Sequence, residues 1–173
     1  RLVELFYGKP IEYTGMDNSE KLVDIAKKKY PNQEFILFDG LRIPFAENYF
    51  DAVYCMAVFH HIPSRELRRE FLAEVRRVLK PGGELILTAW NLSDSSDYFG
   101  LLVKFTIKKI IGKSELDFFD VIEPWFGKAE RYLHIFRKRE LKKEIAKAGL
   151  QVERIRNLPH GLKYKNLLVI ARK

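Results

Sequence analysis

The sequence predicts an α/β fold of the Rossmann-like, doubly wound kind, a mostly parallel sheet that closes with a C-terminal antiparallel strand pair. Residues 49–90 run strand, helix, strand around a tight glycine turn, the crossover unit of a parallel sheet. Two earlier short strands each end in an acid, Asp17 and Asp39. Two late apolar runs, 152–155 and 166–171, flank a turn at Pro159-His160-Gly161, and such a closing antiparallel pair is common on parallel sheets.

Taken in order, residues 1–8 place Leu2, Leu5 and Phe6 at helical spacing, with Gly8 as a stop. Residues 13–16 are a short strand leading into Asp17. Ser19 then caps a helix that reaches Tyr30, with Leu22, Ile25 and Ala26 inward. Residues 35–38 form the next strand, which ends at Asp39-Gly40 and is followed by an apolar loop, 41–45. Residues 52–56 have the pattern of a strand buried on both faces, and a polar lip, Phe59-His60-His61-Ile62-Pro63, follows it. Ser64 sits at an N-cap position. Leu67, Phe71, Val75 and Val78 make one helical face, ended by Pro81-Gly82-Gly83, and residues 85–90 are the second strand. Ligands collect at the carboxyl ends of the strands in such sheets, which places His60, His61 and Trp90 near a site.

Beyond a polar loop at 91–97, residues 98–111 form an amphipathic helix. Leu101, Leu102, Phe105, Ile110 and Ile111 lie on one side of it, Lys104 and Lys108 on the other. Residues 112–127 lack periodicity and read as a loop, and residues 137–148 are a basic helix stopped by Gly149.

At 173 residues, 47% hydrophobic and 31% charged, the chain has the proportions of one globular domain. Residues 1–96 form its cofactor-binding half and 97–173 its substrate-facing half. Cys55, the sole cysteine, lies in an apolar strand and fits a small buried hydrophobe in a reducing, cytoplasmic setting. No metal-ligand set and no spanning segment are read. The net charge of +8 is uneven: residues 101–173 carry 18 Lys and Arg against 8 Asp and Glu. That asymmetry points to a polyanion or an anionic surface as partner. Asp17 and Asp39, at neighbouring strand ends, suit a nucleoside-bearing cofactor, one acid accepting from ribose hydroxyls and the other from an adenine amine.

The segments YTGMDNSEKLVDIAKKK, FDGLRIPF, FDAVYCMAVFHHI and LKPGGELIL together resemble the class I S-adenosylmethionine-dependent methyltransferases. That resemblance implies S-adenosylmethionine as cofactor. It assigns Asp17, with Asn18 beside it, to the ribose and Asp39 to the adenine amine. Gly40 and Leu41 would lie along the adenine, and Met56 and Ala57 would touch the methionine portion. Such enzymes carry a strand and a G-x-G turn ahead of the first helix. The ten glycines here include no G-x-G, so the expectation is a truncated chain without its first, central strand and with weakened binding of the cofactor.

The later segments AVFHHIPSRELRR, TAWNL, DVIEPW, ERYLHIFRKRELKKEIAKAGL and KNLLVIARK resemble, in that order, the methyltransferases that esterify 5-carboxymethyluridine at the tRNA wobble position. A carboxylate titrates near ~4 and is already a nucleophile at neutral pH, so this reaction needs positioning and desolvation rather than a base. Arg131, His134 and one of His60 or His61 are the expected carboxylate clamp. The tRNA anticodon loop would meet Lys104, Lys108, Lys109, Lys128, Arg137, Lys138 and Arg139, with Tyr132 or Trp125 stacking on a splayed base. The resemblance also implies a small zinc-binding activator protein pairing with an edge strand at 35–38. Two alternatives remain open on the residues alone: a small-molecule or lipid methyltransferase that uses the helix at 98–111, and a catalytically silent fragment or non-catalytic subunit.

Overall fold

The computed structural model describes residues 2–6, 8–40, 42–91, 96–125, 127, 129–160 and 164–173. It divides into two compact units, residues 1–43 and 44–173, where the sequence suggests one domain with its functional division at 96/97.

In the first unit, α1 (Leu2–Phe6) precedes β1 (Thr14–Asp17), α2 (Glu20–Lys29) and β2 (Glu34–Leu37). The two strands pair in parallel, Thr14 opposite Glu34 and Asp17 opposite Leu37. Ser19 caps α2 as expected, its hydroxyl accepting from the Leu22 N–H at 3.4 Å. Gly15 is required by close packing: a Cβ there would lie 2.6 Å from the Phe35 ring. β2 has β1 as its one strand neighbour among the described residues.

The second unit holds β3 (Phe50–Met56), a one-turn helix (Phe59–His61), α3 (Arg65–Val78) and β4 (Leu79–Asn91). After these come α4 (Ser96–Ile110), β5 (Asp120–Trp125), β6 (Ala129–His134), α5 (Lys138–Lys147), β7 (Gln151–His160) and β8 (Tyr164–Arg172). The main sheet has the order β3-β4-β8-β7. β3 and β4 are parallel, while β8 is antiparallel to both β4 and β7. Alternation along β4 buries Leu85, Leu87 and Ala89, and their register partners on β8, Ala171, Val169 and Leu167, are also fully buried. This one face of cross-strand apolar pairs is the core of the unit. Helix α3 packs it with Phe71, Leu72, Val75 and Val78. Cys55 is buried in β3, and burial pushes its thiol up to about 12.

Several sequence expectations are corrected. Pro81-Gly82-Gly83 does not end α3, which is capped at Leu79, and lies within β4. On α2, Leu22 and Ile25 are exposed and Val23 is the buried residue. β3 is not buried on both faces, since Cys55 is its one fully buried residue. Residues 112–127 are not wholly a loop, because Asp120–Trp125 pairs antiparallel with Ala129–His134, from Asp120 opposite His134 to Trp125 opposite Ala129. Two acids and Pro124 mask the alternation. The proline is tolerated because β5 has β6 as its one partner among the described residues. The C-terminal strands are also longer than expected, and Pro159 and His160 lie in β7 rather than in the turn.

Candidate active site

At the carboxyl end of β3 the chain makes a strained exit. Ala57 adopts φ 58, a conformation that costs an L-residue about 1–2 kcal/mol. Its N–H donates to Thr88 Oγ1 at 2.9 Å and so ties the ends of β3 and β4 together. Phe59, with no exposed surface, anchors the following turn by stacking on Phe136 at 5.2 Å. This places His60 and His61 beside Trp90 at the end of β4.

His60 is buried and stacks on the Trp90 indole, with centroids 4.8 Å apart. The Trp90 N–H approaches His60 Nδ1 at 3.4 Å, which assigns the ring proton to Nε2. Nε2 is buried without a hydrogen-bond partner among the described residues. Burial, then the nearby His61 and Arg131, pull the His60 imidazole down to about 3. It is a neutral donor, not a base. His61 donates from Nδ1 to the Tyr132 carbonyl at 3.1 Å, and burial lowers its pKa too.

Arg131, on β6, lays its guanidinium over the Trp90 ring at 4.8 Å. Its Nε donates to Glu123 Oε1 at 2.8 Å, and its Nη2 bonds the same oxygen. Glu123 is its cross-strand partner on β5. The other Glu123 oxygen accepts from the Tyr98 hydroxyl at 2.6 Å, which brings α4 to the cluster.

His134 stands apart from this group. Side chains alternate along a strand, so Arg131 and Leu133 face one way, Tyr132 and His134 the other. Leu133 packs with Tyr98, Val121 and Ile135. His134 is buried between two carboxylates, Nδ1 to Asp120 at 2.6 Å and Nε2 to Glu140 at 3.1 Å. Burial alone would lower its pKa, but these two hydrogen bonds outweigh burial and raise it. Both His134 nitrogens are thus committed to scaffold carboxylates, on the side of β6 away from Arg131.

The same face holds a residue that sequence reasoning missed. Arg68 is 2% exposed and donates to the Ile62 carbonyl at 3.1 Å and to the Tyr132 hydroxyl at 2.8 Å. It also pairs with Asp117 at 3.5 Å and Asp120 at 3.9 Å. Its signal was available: it falls four residues before Leu72 and seven before Val75, on the buried stripe of α3. Tyr132, expected to stack on a base, is instead half-buried with its hydroxyl held by Arg68.

Among the other expected residues, Met56 and Ala57 lie at the exit of β3, as described. Asp17, Asn18, Asp39 and Gly40 belong to the first unit and are exposed. Asp17 Oδ1 accepts from the Ser19 N–H at 2.9 Å, and the Asp17 carbonyl accepts from the Phe38 N–H. The two acids therefore stand at the same end of the parallel pair. Leu41 and Lys128 lie outside the described residues. Lys104, Lys108, Arg137, Lys138 and Arg139 are exposed, and Lys109 is partly so. Arg137 also covers the Phe119 ring at 4.4 Å. Beside α4, a cavity of about 320 Å³ is lined by Phe99, Val103, Ile107, Phe119 and Arg137, among others.

Residues 1–87 match the family model described as a methyltransferase domain. A tRNA (carboxymethyluridine(34)-5-O)-methyltransferase of Schizosaccharomyces pombe is 30% identical over 182 residues, covering 92% of this chain and 71% of that protein. A demethylmenaquinone methyltransferase of Thermotoga maritima is 34% identical over 98 residues, 57% of this chain and 42% of that protein. Among solved structures, a SAM-dependent methyltransferase of Methanosarcina mazei superposes with a TM-score of 0.79 at 22% identity. That superposition covers 92% of this chain and 81% of the other, and it speaks to the fold.

Proposed function

The chain belongs to the methyltransferase-domain family, and from that premise we propose that it transfers a methyl group from S-adenosylmethionine to the carboxylate of 5-carboxymethyluridine at the tRNA wobble position. The observation that carries the acceptor class is the set of His60, Arg131 and Trp90. An imidazole held neutral down to about 3, with its lone pair turned to a backbone N–H, is a poor general base. A site with a cation and a neutral donor but no tuned base suits an acceptor that is already ionised.

The first unit fits the cofactor. Exposed carboxylates at adjoining ends of two parallel strands suit a ligand that presents ribose hydroxyls and an exocyclic amine. When bound, S-adenosylmethionine supplies an electrophilic methyl on a sulfonium. In the second unit, Arg131 would fix the acceptor's carboxylate and His60 Nε2–H would donate to one of its oxygens. Trp90 keeps water from the guanidinium face, since a hydrated carboxylate is a weaker nucleophile. The exposed cations of α4 and of residues 137–139 would meet the RNA backbone.

The test is methylation of an anticodon stem-loop carrying 5-carboxymethyluridine, with the product detected as an alkali-labile ester. Transfer that depends on the carboxymethyl group is expected. The same RNA should bind with a steep inverse dependence on salt; a flat dependence would remove the electrostatic contribution.

One observation favours a second reading. Helix α4 exposes Phe99 at 67% and Ile110 at 70%, with Val103 and Ile107 between them. That stripe, bordered by Lys104 and Lys108, suits a prenyl-bearing acceptor at an anionic membrane surface. Binding to anionic vesicles without binding to the stem-loop would favour it.

A further inference from the structure

The cation of the acceptor site already has a carboxylate on it. Glu123 and Arg131 are direct cross-strand partners, and their side chains are 13% and 17% exposed. One Glu123 oxygen takes both Nε and Nη2 of the guanidinium, and the other takes the Tyr98 hydroxyl. A guanidinium holds one carboxylate well. A second carboxylate within about 4–6 Å of the first is strongly disfavoured, and the low exposure leaves that repulsion poorly screened. An anionic acceptor and Glu123 therefore compete for Arg131.

We propose that Glu123 is an internal stand-in for the acceptor's carboxylate, displaced from Arg131 when the acceptor binds and returning to it when the product leaves; this rests on the carboxylate-acceptor reading. The chemistry supplies the return stroke. Methyl transfer breaks the sulfonium S–CH₃ bond and forms an O–CH₃ bond on the carboxylate. Cation and anion become a neutral thioether and a neutral ester, and no proton moves. The ester has lost the charge with which the acid outcompeted Glu123. Re-pairing of Glu123 with Arg131 then favours release of the ester over rebinding. The same competition rejects neutral amide or ester analogues, which cannot displace a carboxylate. Because Tyr98 bonds the other Glu123 oxygen, displacement also breaks that hydrogen bond between α4 and β5.

The experiment is steady-state kinetics of the full chain with a stem-loop carrying 5-carboxymethyluridine, together with inhibition by the methyl-ester stem-loop. Glu123→Gln, which keeps the shape and removes the charge, is expected to lower the acceptor KM by roughly five- to tenfold and to strengthen inhibition by the ester. An acceptor KM that is unchanged or raised in Glu123→Gln, while Arg131→Met raises it, overturns the stand-in and leaves the carboxylate clamp intact. If Arg131→Met also leaves KM unchanged, the clamp itself fails and the stand-in with it. Should Glu123→Gln not fold, Tyr98→Phe serves, since it removes one hydrogen bond and keeps the ring. A fall in KM of about two- to threefold is expected from that modest loss, and no fall overturns the proposal.

Discussion

Replacing Arg68 by methionine keeps most of the aliphatic stem and removes the guanidinium from a site that is 2% exposed. Two hydrogen bonds are lost, to the Ile62 carbonyl and to the Tyr132 hydroxyl, along with the ion pairs to Asp117 and Asp120. Asp120 is itself 2% exposed, so it would lose the Arg68 charge and keep the hydrogen bonds from His134 and the Asp117 N–H. Breaking a buried pair by removing one partner costs about 3–5 kcal/mol, against about 5–15 kcal/mol for the stability of a whole domain. With a urea slope of about 2 kcal/mol/M, the unfolding midpoint should fall by about 2 M. Activity of the folded fraction should fall as well, because Ile62 leads directly out of the turn that carries His60 and His61. A midpoint shift below about 0.5 M in urea would refute the reasoning. So would strict additivity in the cycle with Asp120→Asn, where a coupling of about 0.5–3 kcal/mol is expected.

Two histidines should give the folded state opposite pH responses. His60 is held at about 3 by burial, below its unfolded value near ~6.5. Its contribution is therefore intact above ~6.5 and lost as pH falls from there toward 3. His134 is raised, so its contribution is intact below ~6.5 and lost as pH climbs through its folded value. His60→Gln should flatten the acid limb of a stability–pH curve and His134→Gln the alkaline limb; a swap of these assignments would contradict both environments. At Ser64, which caps α3 by accepting from the Leu67 N–H at 3.3 Å while holding φ 61, alanine should cost about 1 kcal/mol and glycine a few tenths. Chemical denaturation of the pair checks the order. Gly15→Ala should destabilise the β1–β2 pair by about 1–3 kcal/mol, because the new methyl meets the Phe35 ring. Calorimetry should then show weakened binding of the methyl donor, and unaltered binding would count against a cofactor role for that strand end.

The parts of the fold that were legible in the sequence are those where local signals and burial agree. The crossover from β3 through α3 to β4 shows its cap and its apolar stripe, and the structure places both there; Pro81-Gly82-Gly83, expected as the turn that ends the helix, lies instead within β4. Asp17 and Asp39 were legible as a pair because parallel strands bring their ends together whatever the intervening chain. The β5–β6 hairpin was not, since nothing in DVIEPW alternates cleanly and its strand character comes from its partner. The orientation of His134 was hidden for a related reason: three residues from Arg131 on a strand that local signals do not show, it points to the opposite side. Arg68 shows the converse: the pattern marked its position as buried, while its charge argued for the surface. Its side-chain partners, Asp117, Asp120 and Tyr132, lie some fifty or more residues along the chain, which no local window contains.

Strand β6 is a partition with two duties. Its odd positions present Arg131 to Trp90 and Glu123, and its even positions lock Tyr132 and His134 into the ionic lattice around Arg68. A lineage could thus retailor what its odd-numbered side chains greet, swapping one acceptor for another, without loosening the masonry behind them. Changes at even positions have no such freedom, because each would have to renegotiate several buried charges at once.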